Sequence, residues 1–335
     1  MRDPGPLALE PILVPKPWGG KRLQELGKVP PSRTAPTLRY GESWEVADLP
    51  DDALSASERG RTLVANEPHL GKSLRRLISE LGPALLGSAS PTPAGDFPLL
   101  FKLLDTAENL SIQVHPDEHY ASRGSGWFAK TESWYVLDAK PGATILKGLR
   151  PGVGMEDIRE AAGTPALAGL MQKIPVRPGD FHHLPAGTVH ALGAGVTVAE
   201  VQTPSDTTFR LYDWTAEYSR PARRLHITDA LNALSLVSPD AISLPGMTGD
   251  GDRLLVRTPH YRIREHRATD HRVLLRSPQE LSILAVVSGR AVLEGSGHAP
   301  VEMGTGSTAV IPAAATTDIR AMTLETVTLL EIGLG

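Results

Sequence analysis

Residues 179–202, GDFHHLPAGTVHALGAGVTVAEVQ, hold two strand-like runs, GDFHHLP (179 to 185) and GVTVAEVQ (195 to 202), around a turn containing Pro185 and Gly187. β-Branched and aromatic residues at hairpin distance, bounded by turn formers, read as antiparallel strands. The same grammar extends in both directions. LLFKLLD (99 to 105), LSIQVHP (110 to 116), ESWYVLDA (132 to 139) and ATILKG (143 to 148) precede it, and TTFRLYDW (207 to 214) follows. With 32 glycines and 29 prolines in 335 residues, short apolar runs are punctuated throughout, which predicts an all-β core. Helical periodicity is local, at Leu70 to Leu86, Met155 to Gln172, and His226 to Leu234 with Thr228 or Asp229 near its start. These helices are expected to decorate the β core.

The length suggests about two domains. Pro239 to Gly251 is rich in Pro, Gly, Ser and Asp, and after it a second set of strands begins at Arg253, including LSILAVVSGRAVLEG (281 to 295) and STAVIPA (307 to 313). The expected division is therefore 1–240 and 241–335. Gly306 to Ala313 echoes Gly179 to Ala186, but nothing after Pro312 corresponds to His190. The C-terminal half reads as a barrel without metal ligands, retained for packing.

A net charge of −4, from 34 basic and 38 acidic residues without long runs, gives no footprint for nucleic acid or an anionic membrane. A small soluble substrate fits better. With no cysteine, disulfides, thiolate nucleophiles and Cys-type zinc sites are excluded. The opening residues lack a basic stretch followed by an apolar one, and no apolar run reaches the roughly 20 residues of a membrane span. The expectation is a cytoplasmic protein.

Gln113 and His115 are two apart, so a strand turns both to one face, and Lys130 and Glu132 share a face for the same reason. Three strands can thus aim Gln113, His115, Glu132 and His190 at one point. An amide oxygen, two imidazoles and a carboxylate suit Zn²⁺ with a position open for substrate, and Fe²⁺ or Mn²⁺ also accept these donors. Asp206, Thr208 and Arg210 are expected on one strand face, presenting a carboxylate beside a guanidinium. Arg210 could instead pair with Asp213, and Glu132 with Lys130 or Arg123. His119, His182 and His183 are read as non-ligands, and Trp18 and Trp44 as packing residues.

Gly179, Pro185, Gly187 and His190 form G-x5-P-x-G-x2-H, which resembles the second signature motif of the cupin superfamily. The resemblance implies two cupin-type jelly-roll barrels. FKLLDTAENLSIQVHPDEHYA, KTESWYVLDA, PGDFHHLPAGTVHALG and EVQTPSDTTFRLYDW, in this order over about residues 98 to 226, are similar to the type I mannose-6-phosphate isomerases, in their shorter bacterial branch. Weaker echoes lie at Pro17 to Gly20 and Gly41 to Trp44. His182 and His183 depart from the aromatic residues frequent in that branch. The resemblance implies one Zn²⁺ per chain on Gln113, His115, Glu132 and His190, with Arg210 in the active site and Ser111, Lys102, Lys130, Glu200 and Asp206 in the pocket. It implies a sugar phosphate as partner, and the chain is expected as a monomer or weak homo-oligomer. The expected chemistry is aldose-ketose isomerisation through a cis-enediol, with Glu200, Asp206 or Lys130 as base. Arg210, helped by Lys130, Ser111 and Lys102, is expected on substrate. Two other readings use the same residues. Two His and one carboxylate also describe an Fe²⁺ oxygenase, which Gln113 and Arg210 argue against, and a non-catalytic sugar-phosphate sensor would keep the pocket alone.

Overall fold

The computed structural model describes residues 3–28, 38–49, 60–124, 127–236, 243–269, 272–274, 279–294, 298–315, 320–323 and 326–335. Four antiparallel sheets build two barrels. The first barrel closes a seven-stranded sheet, in the order Ser243–Leu244, Phe181–Leu184, Glu132–Ala139, Val196–Gln202, Leu100–Thr106, Ile12–Gly20 and Tyr40–Val46, against a five-stranded one. That second sheet runs Phe209–Tyr212, Ile112–Val114, His190–Leu192, Thr144–Leu149, Met171–Pro175. The other barrel pairs a seven-stranded sheet around Tyr261–Ala268, Val327–Leu334 and Ser282–Ser288 with a four-stranded one. All-β architecture with decorating helices is what the alternating runs predict.

Strand alternation decides what each face buries. On Glu132–Ala139, Trp134 and Val136 point into the first barrel with Leu104, Val198, Ile145 and Leu192, while Tyr135 points out with Phe101, Leu103, Ala199 and Val201. That outward face meets Ile263, Ile283, Leu330 and Ile332 of the second barrel in one continuous apolar core. Ile112 and Val114 point away from the barrel interior and bury under Ile158, Leu167 and Ala230 of the covering helices. Gln113 between them therefore faces inward.

The boundary expected at residue 240 lies outside the described residues, and the division is crossed in both directions. Leu7–Glu10 pairs with Thr308–Ile311 of the second barrel, and Ser243–Leu244 pairs with Phe181–Leu184 of the first. Two expected helices are also broken. Leu74–Leu81 ends at Gly82, whose φ of +50° leaves the helix, and Pro83 starts a new turn through Leu86. Met155–Ala161 stops before Gly163, a 3₁₀ turn covers Pro165–Leu170, and Met171 and Gln172 already belong to a strand. The 281 to 295 run splits at Gly289, φ +85°, into strands of different sheets, with residue 295 outside the described ones.

Candidate metal centre

His115, Glu132 and His190 come from three strands or their ends and are each at most 2 % exposed. Their ligand-type atoms all lie within 4.8 Å of one another, the one such His and carboxylate group among the described residues. Nε2 of His190 stands 3.0 Å, and Nε2 of His115 3.3 Å, from the Glu132 carboxylate. In the second barrel, which offers no such group among the described residues, His266 is paired with Glu331 at 2.8 Å.

The backbone sets both tautomers. His115 Nδ1 lies 2.9 Å from the Thr207 carbonyl oxygen and His190 Nδ1 2.8 Å from that of Thr188. A carbonyl oxygen only accepts, so each Nδ1 carries its proton, and in a neutral ring the Nε2 then presents a bare lone pair. Burial, then the nearby Lys130 charge, takes His115 down to about 3, so its ring is neutral. Two lone pairs thus face a carboxylate whose buried oxygens receive no well-directed hydrogen bond. Lys130 Nζ lies 2.9 Å from Oε2. Burial works against ionising Glu132, but the Lys130 ammonium, the strongest opposing charge, holds the carboxyl well below its ordinary range. Acceptors converging in a buried space are costly without a cation between them. Two imidazole nitrogens and a carboxylate fit a divalent transition metal. Gln113 turns Nε2 toward both histidines, 3.3 Å from His190 and 3.5 Å from His115, while its Oε1 accepts from Ser111 Oγ at 3.1 Å. A half-turn of the amide would bring Oε1 to the same point.

Two rows of side chains face each other around this group. Register aligns Trp44, Lys102, Glu200, Trp134 and His182 across the seven-stranded sheet. It aligns Arg210, Gln113, His190 and Lys147 across the five-stranded one. Trp134 Nε1 donates to Glu200 at 2.9 Å, and burial followed by the Glu132 charge raises the Glu200 carboxyl. Lys102 Nζ sits 3.7 Å from Glu42 and 5.0 Å from the centre of the Trp44 ring. Arg210 is half-buried with its Nε unbonded, because Asp213, the alternative partner, is held by Arg223. Burial, then the Arg223 charge, lowers the Arg210 guanidinium from its ordinary value.

One expectation is corrected. The strand spans Phe209–Tyr212, so Asp206 and Thr208 do not share a strand face with Arg210. Asp206 is exposed on the preceding Pro-Ser-Asp loop, from which its charge acts on Lys102 and Arg210. Lys130 likewise precedes the strand that begins at Glu132, yet reaches it. The three histidines read as non-ligands are engaged elsewhere: His182 with Ser243, His183 with Ser133, His119 with Arg123. Sequence reasoning passed over Glu42, although Gly41 to Trp44 was a visible motif, and the Thr188 and Thr207 carbonyls carried no signal.

A jelly-roll barrel holding a buried His, Glu, His group beneath a half-buried arginine is a cupin-type protein with a metal-ligand set. The family model for the phosphomannose isomerase type I catalytic domain matches residues 7–146. The probable mannose-6-phosphate isomerase GmuF of Bacillus subtilis is 32% identical over 314 residues, covering 92% of this chain and 93% of its own. The crystal structure of a mannose 6-phosphate isomerase from Bacillus subtilis superposes with a TM-score of 0.79 at 28% identity, over 98% of this chain and 99% of that one. A zinc-bound holo mannose 6-phosphate isomerase shares the fold at 17% identity, TM-score 0.76, over 97% of this chain and 99% of that one. The chain belongs to the type I phosphomannose isomerase family, and it is an enzyme with mannose-6-phosphate isomerase activity. The oxygenase and sensor readings give way to it. Among the described residues no helix is long and apolar enough to cross a membrane.

Proposed function

We propose that this chain interconverts mannose 6-phosphate and fructose 6-phosphate through a cis-enediol at one Zn²⁺ held by His115, Glu132, His190 and the Oε1 of Gln113. The observation that carries the metal is the pair of Nε2 lone pairs aimed at the Glu132 carboxylate, both fixed by Nδ1–H bonds to carbonyl oxygens. Zinc bound there supplies a Lewis acid that polarises the substrate carbonyl and an opposite charge for the enediolate oxygen.

The protein's own groups do the rest. Glu200, buried in the row facing the histidines, is the first candidate to take the proton from the carbon next to the carbonyl and return it to its neighbour. Its raised proton affinity in the metal-free chain suits an acceptor, and the Trp134 N–H fixes one of its oxygens. Asp206 at the rim and Lys130 beside Glu132 are the other candidates. Arg210 offers a planar donor fork with its Nε unbonded and no carboxylate salt bridge among the described residues, the arrangement a phosphate dianion takes. Lys102 adds positive charge on the opposite sheet, though Glu42 offsets it, and Ser111 orients Gln113. Phosphate binding at Arg210 then orients the reacting carbons relative to the base. The sugar phosphate is the substrate partner, the place of action is the cytoplasm, and the protein works as a monomer or weak homo-oligomer.

Isomerisation in D₂O tests the proton path. A cis-enediol predicts deuterium at the carbon that receives the proton, and reduced incorporation in Glu200→Gln. Product free of label under all conditions would indicate direct hydride transfer and remove the need for a base.

A further inference from the structure

The second barrel carries no metal-type group among its described residues, yet it grips the strand that carries Glu132. Along Glu132–Ala139, Glu132 and Trp134 point into the site while Ser133 and Tyr135 point out. Both outward residues end in hydroxyls, and each meets a side chain of Tyr261–Ala268. The Tyr261 hydroxyl lies 3.0 Å from Ser133 Oγ, which lies 2.9 Å from His183 Nδ1 on the neighbouring strand. The Tyr135 hydroxyl donates to Glu265 Oε1 at 2.7 Å, and Arg253 pairs with the other oxygen at 2.9 Å. All four residues from the two strands are at most 3 % exposed.

Resting on the metal assignment proposed above, we propose that Tyr261 and Glu265 are positioning residues for the metal site. They fix the height and twist of the strand from behind, so that Glu132 meets His115 and His190 without rearrangement. A buried hydroxyl or carboxylate has few acceptable partners, so these two bonds specify one register between the barrels in a way that apolar contacts do not. Ser133 adjoins Glu132 in the chain, and Tyr135 adjoins Trp134, which in turn holds Glu200 and sets its ring edge-on to His190 at 5.4 Å. One strand thus transmits the clamp to ligand and base alike. This gives the second barrel a task in the reaction beyond adding core.

The test is zinc affinity, read by competition with a chromophoric chelator at 25 °C, alongside thermal melting and turnover. Tyr261→Phe and Glu265→Gln, singly and together, each keep the shape of the side chain. The expectation is weaker zinc binding, about tenfold in the double variant, the low end of what removing supporting contacts behind ligands costs. Excess zinc should restore much of the activity, and Tyr135→Phe, which removes the hydroxyl that Glu265 accepts from while leaving Glu265 and Arg253 in place, should weaken zinc binding as well. Should the double variant fail to fold, the single variants and Tyr135→Phe report the same constant. Unchanged zinc affinity with only a lower Tm would overturn the inference and leave the barrel a purely stabilising part. A wild-type chain that binds no zinc would overturn the metal assignment itself, and the positioning role with it.

Discussion

Arg210 and Asp213 lie three apart, and the obvious ion pair between them does not form because Arg223 occupies Asp213. That leaves a half-buried guanidinium open to an anionic substrate group. Arg210→Lys keeps the charge but loses the fork, so kcat/KM for mannose 6-phosphate should fall about tenfold or more, as a charge-assisted contact is worth roughly 1.5 to 3 kcal/mol. Near wild-type efficiency in Arg210→Lys would make the residue structural. Glu42 yields a second expectation. Burial opposes its charge, but Lys102, Lys16 and the Trp44 N–H outweigh burial and lower it from 4.5 to about 2. Such a group contributes stability above its unfolded value near 4.5 that is lost as pH falls through about 2. The contribution is roughly 3 kcal/mol at neutral pH, since a tenfold change in proton affinity between the folded and unfolded chain is worth about 1.4 kcal/mol. In urea titrations, Glu42→Gln should be less stable than wild type at pH 7, and the gap should close between pH 5 and pH 2. A gap independent of pH would show that the lysines do not act on Glu42. Gln113, His115, Glu132 and His190 were legible as a set because strand parity and the order of motifs both select them. Glu42 was not, since its partner Lys102 is brought close only by sheet pairing.

At the scale of elements, the central strands were readable because each alternates between two different apolar cores, and Glu132–Ala139 was predicted to the residue. The helices were less so, since apolar periodicity runs on through Gly82-Pro83 and Gly163 while the backbone does not. Asp206 was placed on a strand that starts only at Phe209, although Pro204, Ser205 and Asp206 are loop formers. Pairing of Leu7–Glu10 with Thr308–Ile311, at the far end of the chain, has no local signature. Alignment of strands also makes a functional prediction. Trp134 and Glu200 are register partners, so Trp134→Phe removes the N–H that orients the proposed base. The expected result is a kcat lowered by about tenfold with KM within about threefold, because orientation of the base matters in the transition state more than in substrate binding. A change confined to KM would move Trp134 from base positioning to the substrate wall.

For the molecule as a whole, the shared core between the two seven-stranded sheets makes the barrels one structural unit around a single metal-type site among the described residues. Everything proposed for the reaction depends on that site holding a metal ion. The Nε2 atoms of His115 and His190 and the Glu132 carboxylate point at one another, an arrangement that a bound cation would complete. The direct measurement is a coupled assay of mannose 6-phosphate turnover on protein stripped with chelator, with zinc returned in known amounts and bound metal quantified. Activity should vanish on stripping and return in proportion to zinc, saturating at one ion per chain, and His190→Ala with Glu132→Ala should neither retain zinc nor recover. Full turnover by metal-free protein, or stoichiometric zinc held by that double variant, would contradict the account.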